Sequence, residues 1–273
     1  MYQILAVTGE DGSMRWIALA ALLSLPALAG AAELKPKTLD AFNQYVRQTE
    51  EHMAASKTFL WADESPDRLR RVQQGEAVVS PFHERPEVKI KDGLIHDWVG
   101  SIFIPGVSME RVLAMVQDYN HHKDVYKPDV LDSKLLSRDG ETFHIYLRVL
   151  KKKVITVVLN TEHEVKYSRV DANKWRSVSR STKVAEVENP GKKDEREKPP
   201  DTGEGFLWRL YSYWRFEERD GGVYLECQAL SLTRDVPTGL GWLIEPIIRN
   251  LPKESLENTL RSTRTALTAN RDR

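Results

Sequence analysis

The sequence predicts an α+β fold: a curved antiparallel β-sheet wrapped on a long C-terminal α-helix, with extra N-terminal helices ahead of the sheet. Three observations predict it. From Phe206 to Glu218 the chain alternates with period two, placing Phe206, Trp208, Leu210, Ser212, Trp214 and Phe216 on one side and Leu207, Arg209, Tyr211, Tyr213, Arg215 and Glu217 on the other. Val223 to Thr233 answers it across Asp220-Gly221-Gly222, the residues of a primed two-residue hairpin turn. Finally, Lys253 to Asn270 carries Leu256, Leu260 and Leu267 at helical spacing, with Thr259, Thr263 and Ala266 in the same stripe and Glu254, Glu257, Arg261 and Arg264 opposite. One face of that helix wants a sheet and the other wants water.

Either two-residue turn puts Leu225, Cys227 and Ala229 on the Trp214 and Phe216 face, and sets Arg215 beside Glu226 on the opposite face. A three-residue bulged turn would reverse the facing. On this register Tyr213, Arg215 and Glu226 form a polar cluster on the convex side, a surface pairing worth at most about 1 kcal/mol if exposed.

At the N-terminus, Arg15, the apolar run Trp16 to Leu28 and Ala29-Gly30-Ala31-Ala32 follow the charged, apolar and small-residue plan of a secretory signal peptide. Glu10 and Asp11 are out of place before such a run, which makes Met14 the expected natural start. Cleavage near Ala31 or Ala32 would give a secreted or periplasmic product; the alternatives are a buried first helix or an uncleaved anchor. The domain plan is a leader over 1–32, a helical segment over 33–74 and one sheet-and-helix domain over 75–273. Lys plus Arg and Asp plus Glu both number 40. Losing residues 1–32 removes Arg15 against Glu10 and Asp11 and leaves +1, so no field for nucleic acid or an anionic membrane follows. Cys227 stands alone, so an exported chain has no internal disulfide and relies on its core.

Leu34 to Phe59 reads as a helix outside the sheet, its stripe Leu39, Phe42, Val46 and Met53, its wet side Glu50, Glu51 and Lys57. Ser65 caps a short helix to Gln73. The arginines 68, 70 and 71 tempt a phosphate reading, but Asp63, Glu64 and Asp67 favour local ion pairs on a solvated helix. Strands follow over 76–82 and 94–104, then Ser108 caps a helix whose Val112, Met115, Val116 and Tyr119 face the core. His121 and His122 point about 100° apart and cannot share one metal ion. Strands are expected over 130–138, 142–150, 153–167 and 175–187. The segment 189–204, with Pro190, Pro199, Pro200 and dense charge, reads as an exposed loop. After the hairpin, Thr238-Gly239-Leu240-Gly241 is a flexible connection to a short helix over 242–250, and Pro252 restarts the chain.

This order of elements resembles the helix-grip fold of the START and polyketide cyclase-like (SRPBCC, Bet v1-like) superfamily. The likeness covers roughly Gly75 to Asn270 and is carried by the helix from Ser108 to Tyr126 between strands. It is also carried by the Trp208 to Thr233 hairpin leading through Thr238-Gly239-Leu240-Gly241-Trp242 into Leu251-Pro252-Lys253-Glu254-Ser255-Leu256. The resemblance implies a cavity between sheet and last helix that takes lipids, sterols, quinones, polyketides or similar apolar molecules. It transfers no catalytic residue, since the family has no universal one.

Side-chain alternation and the closing helix together nominate His163, Tyr167, Trp208, Ser212, Trp214, Leu225, Cys227, Leu256, Leu260 and Thr263 as the lining of such a cavity. No phosphate loop, GxSxG elbow, HExxH or cysteine-pair metal site occurs, and no metal or cofactor is expected. His163 alone among the histidines sits on a core-facing strand, where a satisfied core imidazole is commoner than an acid or base. His96 and Asp97 are adjacent in a strand and face opposite sides. Binding of an apolar small molecule or lipid by a monomer, with transient membrane contact, is therefore the first reading. A cyclase or hydrolase on the same fold is the second, and a noncatalytic envelope interaction module the third.

Overall fold

The computed structural model describes residues 32–83, 85–152, 156–235 and 241–269, with the backbone alone over 241–249. The expected leader up to residue 31, the connection over 238–240 and Asn270 lie outside the described residues. In chain order the elements are β1 (Ala32–Glu33), α1 (Pro36–Ala55), a 3-10 turn (Trp61–Glu64), α2 (Pro66–Gln73), β2 (Val78–Pro81), β3 (Glu87–Ile90), β4 (Gly93–Pro105), α3 (Met109–Val116) and α4 (His122–Val125). There follow β5 (Val130–Asp139), β6 (Thr142–Lys152), β7 (Thr156–Arg169), β8 (Lys174–Glu188), β9 (Arg196–Glu197), β10 (Thr202–Gly203), β11 (Arg209–Arg219), β12 (Gly222–Arg234) and α5 (Gly241–Ala269).

The main sheet is antiparallel throughout, in the order β2-β4-β12-β11-β8-β7-β6-β5, with β3 also on β4 and β9 on β8. It takes the helix-grip arrangement: a long antiparallel sheet against a C-terminal helix, with α3 and α4 between β4 and β5. The expected caps form, Ser65 Oγ accepting from Arg68 N at 3.4 Å and Ser108 Oγ from Arg111 N at 3.3 Å. The β11–β12 turn is the tight one: Arg219 pairs with Gly222 around Asp220 and Gly221, both at positive φ. Trp214 is therefore opposite Cys227, Phe216 opposite Leu225, and Arg215 opposite Glu226.

The sheet is covered on both faces. On the concave face α5 lies mainly along β4, β2 and β12, burying Leu256, Leu260, Thr263 and Leu267. At Gly100 of β4 an added Cβ would come within 2.8 Å of a Leu260 methyl carbon, so the missing side chain sets how closely helix and sheet approach. Leu260 is fully buried, whereas Arg261 is exposed and pairs with Glu257 at 2.8 Å. Leu260→Ala is expected to cost about 2 kcal/mol or more and Arg261→Ala under about 1 kcal/mol, checked by urea unfolding. Equal losses would place the wrong face of α5 on the sheet.

The convex face is not solvated as expected. Phe42 and Val46 of α1 pack on Ile95, Tyr213, Leu230 and Leu232, while Trp61, Ala62 and Val72 pack on Val99, Phe103 and Tyr224. The Tyr213, Arg215 and Glu226 cluster is thus buried rather than exposed. Glu226 is 1% exposed, pairs with Arg215 at 3.0 Å and accepts from Trp61 N at 2.9 Å and Ala62 N at 3.1 Å. Tyr213 donates to Glu50 of α1 at 2.7 Å. Polar residues on alternate positions found polar partners in the N-terminal segment instead of water.

Three other expectations need correction. Helix α5 runs unbroken through positions 246 and 252. Each proline deletes one backbone hydrogen bond, a cost of about 3 kcal/mol that a long helix with a buried stripe can carry. The segment 189–204 is largely exposed, as expected, but it is not all loop: β9 pairs with β8 and β10 with β1. The nearly buried Glu186 carboxylate anchors the return, accepting from Glu204 N at 2.8 Å and Gly205 N at 2.9 Å and facing Lys198 Nζ at 3.2 Å. Trp208 precedes β11, and the bend there breaks the alternation, so its ring joins Leu34, Phe42 and Leu232 on the α1 side. It does not line the α5 side. The arginines of α2 are locally engaged: Arg70 with Asp67, Arg71 with Glu76, and Arg68 with the Trp61 carbonyl and over its ring.

Candidate functional site: the concave face of the sheet

Register, read strand by strand, builds the site. Ser212 of β11 lies opposite Ala229 of β12 and Ser179 of β8, so three adjacent strands present small side chains in one transverse row. Trp98 of β4, opposite Ala229, closes one end of the row, and Val165 of β7, opposite Ser179, closes the other. The next row holds Gly100, Cys227, Trp214, Ser177 and Tyr167. Trp214 stacks on Phe216 with ring planes 12° apart and centroids 6.1 Å apart. Trp98 and Val165 at the ends and Trp214 in the next row are taller than the Ala and Ser side chains between them, so by register the row is a low strip, a shallow trough, in this face of the sheet.

The trough lies beside the ridge that α5 covers. Leu225 and Cys227 sit under that ridge, buried with Leu256, Leu260 and Thr263 above the same surface. Trp175, Trp214, Leu135, Leu147 and Ala229 are only partly buried and border this cluster. Burial pushes the Cys227 thiol up from its ordinary value, which makes it a packing group and a poor nucleophile at neutral pH.

Polar groups on this face are few, and most are paired. Tyr119 and Tyr167 share a hydroxyl contact of 2.9 Å, and Tyr126 meets Thr263 at 3.1 Å. Burial raises both Tyr119 and Tyr167, so they stay protonated. His163 is 4% exposed, and burial drives its imidazole down to about 4. Thr161 donates its hydroxyl proton to the Leu147 carbonyl at 3.2 Å and so accepts from His163 Nε2 at 3.0 Å. That leaves Nδ1 to accept from Ser179 at 3.5 Å. His163 is a satisfied, neutral core histidine at the edge of the trough. The one carboxylate of the His96-Asp97 pair points to the convex face, where Asp97 accepts from Tyr45 Oη at 2.9 Å and Gln228 Nε2 at 2.8 Å. Among the described residues no cluster of three or more His, Cys, Asp or Glu is arranged to hold a metal ion.

Of the residues nominated from sequence, Ser212 and Trp214 meet in the trough, His163 and Tyr167 lie along its far side, and Leu225, Cys227, Leu256, Leu260 and Thr263 form the adjoining ridge. Trp208 is on the other face. Sequence reasoning missed Trp98, Trp175, Ser179 and Tyr126. Trp175 and Ser179 were within reach, since alternation along β8 carries the signal once its register to β11 is known.

No family model matches the chain, and no curated protein matches it. Among solved structures it is similar to a protein from Thermus thermophilus, at 16% identity over 63% of this chain and 96% of that one, TM-score 0.46. It is also similar to a fragment of a STAR-related lipid transfer protein from Xanthomonas axonopodis, at 17% identity over 67% of this chain and 97% of that one, TM-score 0.44. A third is the Zhui aromatase/cyclase from a Streptomyces species, at 12% identity over 66% and 96%, TM-score 0.41.

Proposed function

We propose that this chain is an exported protein that binds an apolar small molecule or lipid in the trough on the concave face, beside α5. One observation carries the reading: the transverse row Ala229, Ser212 and Ser179, small residues on three adjacent strands, flanked by half-buried aromatic and aliphatic side chains. Apolar walls supply affinity through burial at about 25 cal/mol per Å². The paired hydroxyls and the satisfied, neutral imidazole are not set to do chemistry on a ligand. A cyclase or hydrolase would need an acid or base poised near neutral pH, and His163 is held neutral with both nitrogens engaged.

Ser212→Trp tests the reading, because an indole at the centre of the row fills the trough while leaving the β11 backbone ladder in place. The expected result is loss of N-phenyl-1-naphthylamine uptake by delipidated protein, with circular dichroism unchanged. Uptake equal to wild type would overturn it. Export is supported by the Arg15 to Ala32 pattern. N-terminal sequencing of the protein from its native source should begin near Ala32, and a first residue of Met1 or Met14 would refute export by cleavage.

A further inference from the structure

Two polar atoms on the covered face of β4 are buried without a hydrogen-bond partner among the described residues: His96 Nδ1 and Trp98 Nε1. They belong to the same face. The β4–β12 register runs without a shift from Gly93 to Pro105, so positions 96, 98 and 100 alternate onto one side, and Gly100 on that side meets Leu256 and Leu260 of α5. His96 is 0% exposed and Trp98 5%. A buried polar group left unpaired is costly, so two neighbours on one strand call for a common explanation.

The tautomer of His96 follows from its partner. Thr233 Oγ1 donates to the Arg234 carbonyl at 3.3 Å, so at 3.1 Å it accepts from His96 Nε2, and the imidazole proton is on Nε2. Nδ1 is then a bare lone pair. Burial drives this ring down to about 4, so it is neutral at physiological pH and does not acquire a second proton. The Trp98 indole can only donate. An acceptor and a donor thus stand two residues apart on one strand, a backbone spacing of about 6.6 Å. A single oxygen between them can be within hydrogen-bond reach of both, giving its proton to one and a lone pair to the other.

We propose that His96 Nδ1 and Trp98 Nε1 form the polar end of the trough and bind the neutral hydroxyl of an apolar alcohol or phenol, which donates to His96 and accepts from Trp98. The proposal rests on the trough reading above and narrows it to a ligand class. Trp98 is in register with Ala229, at the end of the small-residue row, so a ligand lying along that row would bring its head to this pair. A carboxylate would fit poorly: it brings no proton for the bare lone pair at Nδ1, and among the described residues no cationic side chain pairs with either atom. An ether oxygen would satisfy Trp98 and leave His96 unpaired.

The test uses wild-type protein labelled with ¹⁵N at histidine and tryptophan, titrated with 1-dodecanol and with its methyl ether, each displacing N-phenyl-1-naphthylamine. The expected result has three parts. His96 shows the Nε2-protonated tautomer before ligand is added. Dodecanol moves both the His96 Nδ1 and Trp98 Nε1 resonances, whereas the ether moves the Trp98 resonance alone. The alcohol binds at least fivefold more tightly than the ether, a preference that falls to about one in His96→Phe and persists in Trp98→Phe, where both compounds bind more weakly. Displacement of the probe by both compounds with equal affinity, or with neither resonance moving, would overturn the assignment of the pair while leaving the trough reading intact, and would mean that the pair holds water. Failure of the wild type to take up the probe at all would overturn the trough reading and this proposal with it.

Discussion

Arg215→Ala is expected to destabilise the fold by about 3 to 5 kcal/mol at neutral pH, far more than loss of a surface ion pair. Its partner Glu226 is 1% exposed, and the carboxylate spans the joint between β12 and the 3-10 turn through the amides of Trp61 and Ala62. Burial pushes the Glu226 carboxyl up from its ordinary value, while Arg215 and the two amides pull it back. Removing the guanidinium leaves a buried carboxylate with backbone donors only, so it either stays charged at high cost or takes up a proton. Both routes make the loss depend on pH: it should shrink as pH falls and the carboxyl protonates. Adding Glu226→Gln to Arg215→Ala should recover part of the loss, because the amide oxygen still accepts from the turn and no charge is stranded. Urea unfolding of the single and double variants at pH 7 and pH 5 decides it. A single-variant loss below about 1 kcal/mol, the value of an exposed pair, would mean that the 3-10 turn does not seal this site.

The error that this pair corrects shows where sequence reading stops. In β11 and β12 the alternation was legible, and the Asp220-Gly221 turn fixed the register, so which residues share a face followed from local chemistry. What covers each face did not follow. Tyr213 and Glu226 read as solvent-facing because they are polar, yet their partners, Glu50 and the Trp61 and Ala62 amides, come from more than 160 residues away. Strand β4 failed differently. All of its residues but Pro105 are buried, so it has no polar face to alternate with, and the side to which His96 and Trp98 point becomes visible only through pairing with β12. Trp208 failed because period two holds only inside a strand, and the chain bends just before β11 begins. The closing helix was legible face by face, and its run through Pro252 was not, since propensity weighs each proline locally while tertiary packing weighs the whole helix.

Asp97→Asn is expected to stabilise the protein above pH 6, by roughly 3 kcal/mol, and to have little effect near pH 4. Asp97 is 3% exposed between β4 and α1, and burial pushes its carboxyl from an ordinary 3.8 up to about 6. The donors from Gln228 and Tyr45 offset part of that rise. The groups facing it are Tyr45 and His52 from α1, Gln228 from β12, and the half-exposed His83, whose Nε2 lies 4.0 Å away. A carboxyl with a raised folded pKa binds its proton more tightly in the folded state. Its contribution is therefore fully present below pH 3.8 and is lost as pH rises through 6, a shift of about two units or roughly 3 kcal/mol. Asparagine removes that dependence while keeping an oxygen for Tyr45, and once the Gln228 amide flips, the new amide donates to its Oε1 in place of the Nε2 bond that Asp97 accepts. Unfolding free energies of wild type and variant, measured in urea from pH 4 to pH 7, should diverge through this window. Groups far from Asp97 contribute equally to both proteins and cancel from the difference. Parallel curves would show that Asp97 meets water or a cation in the folded protein, and that the α1 helix does not close over the convex face.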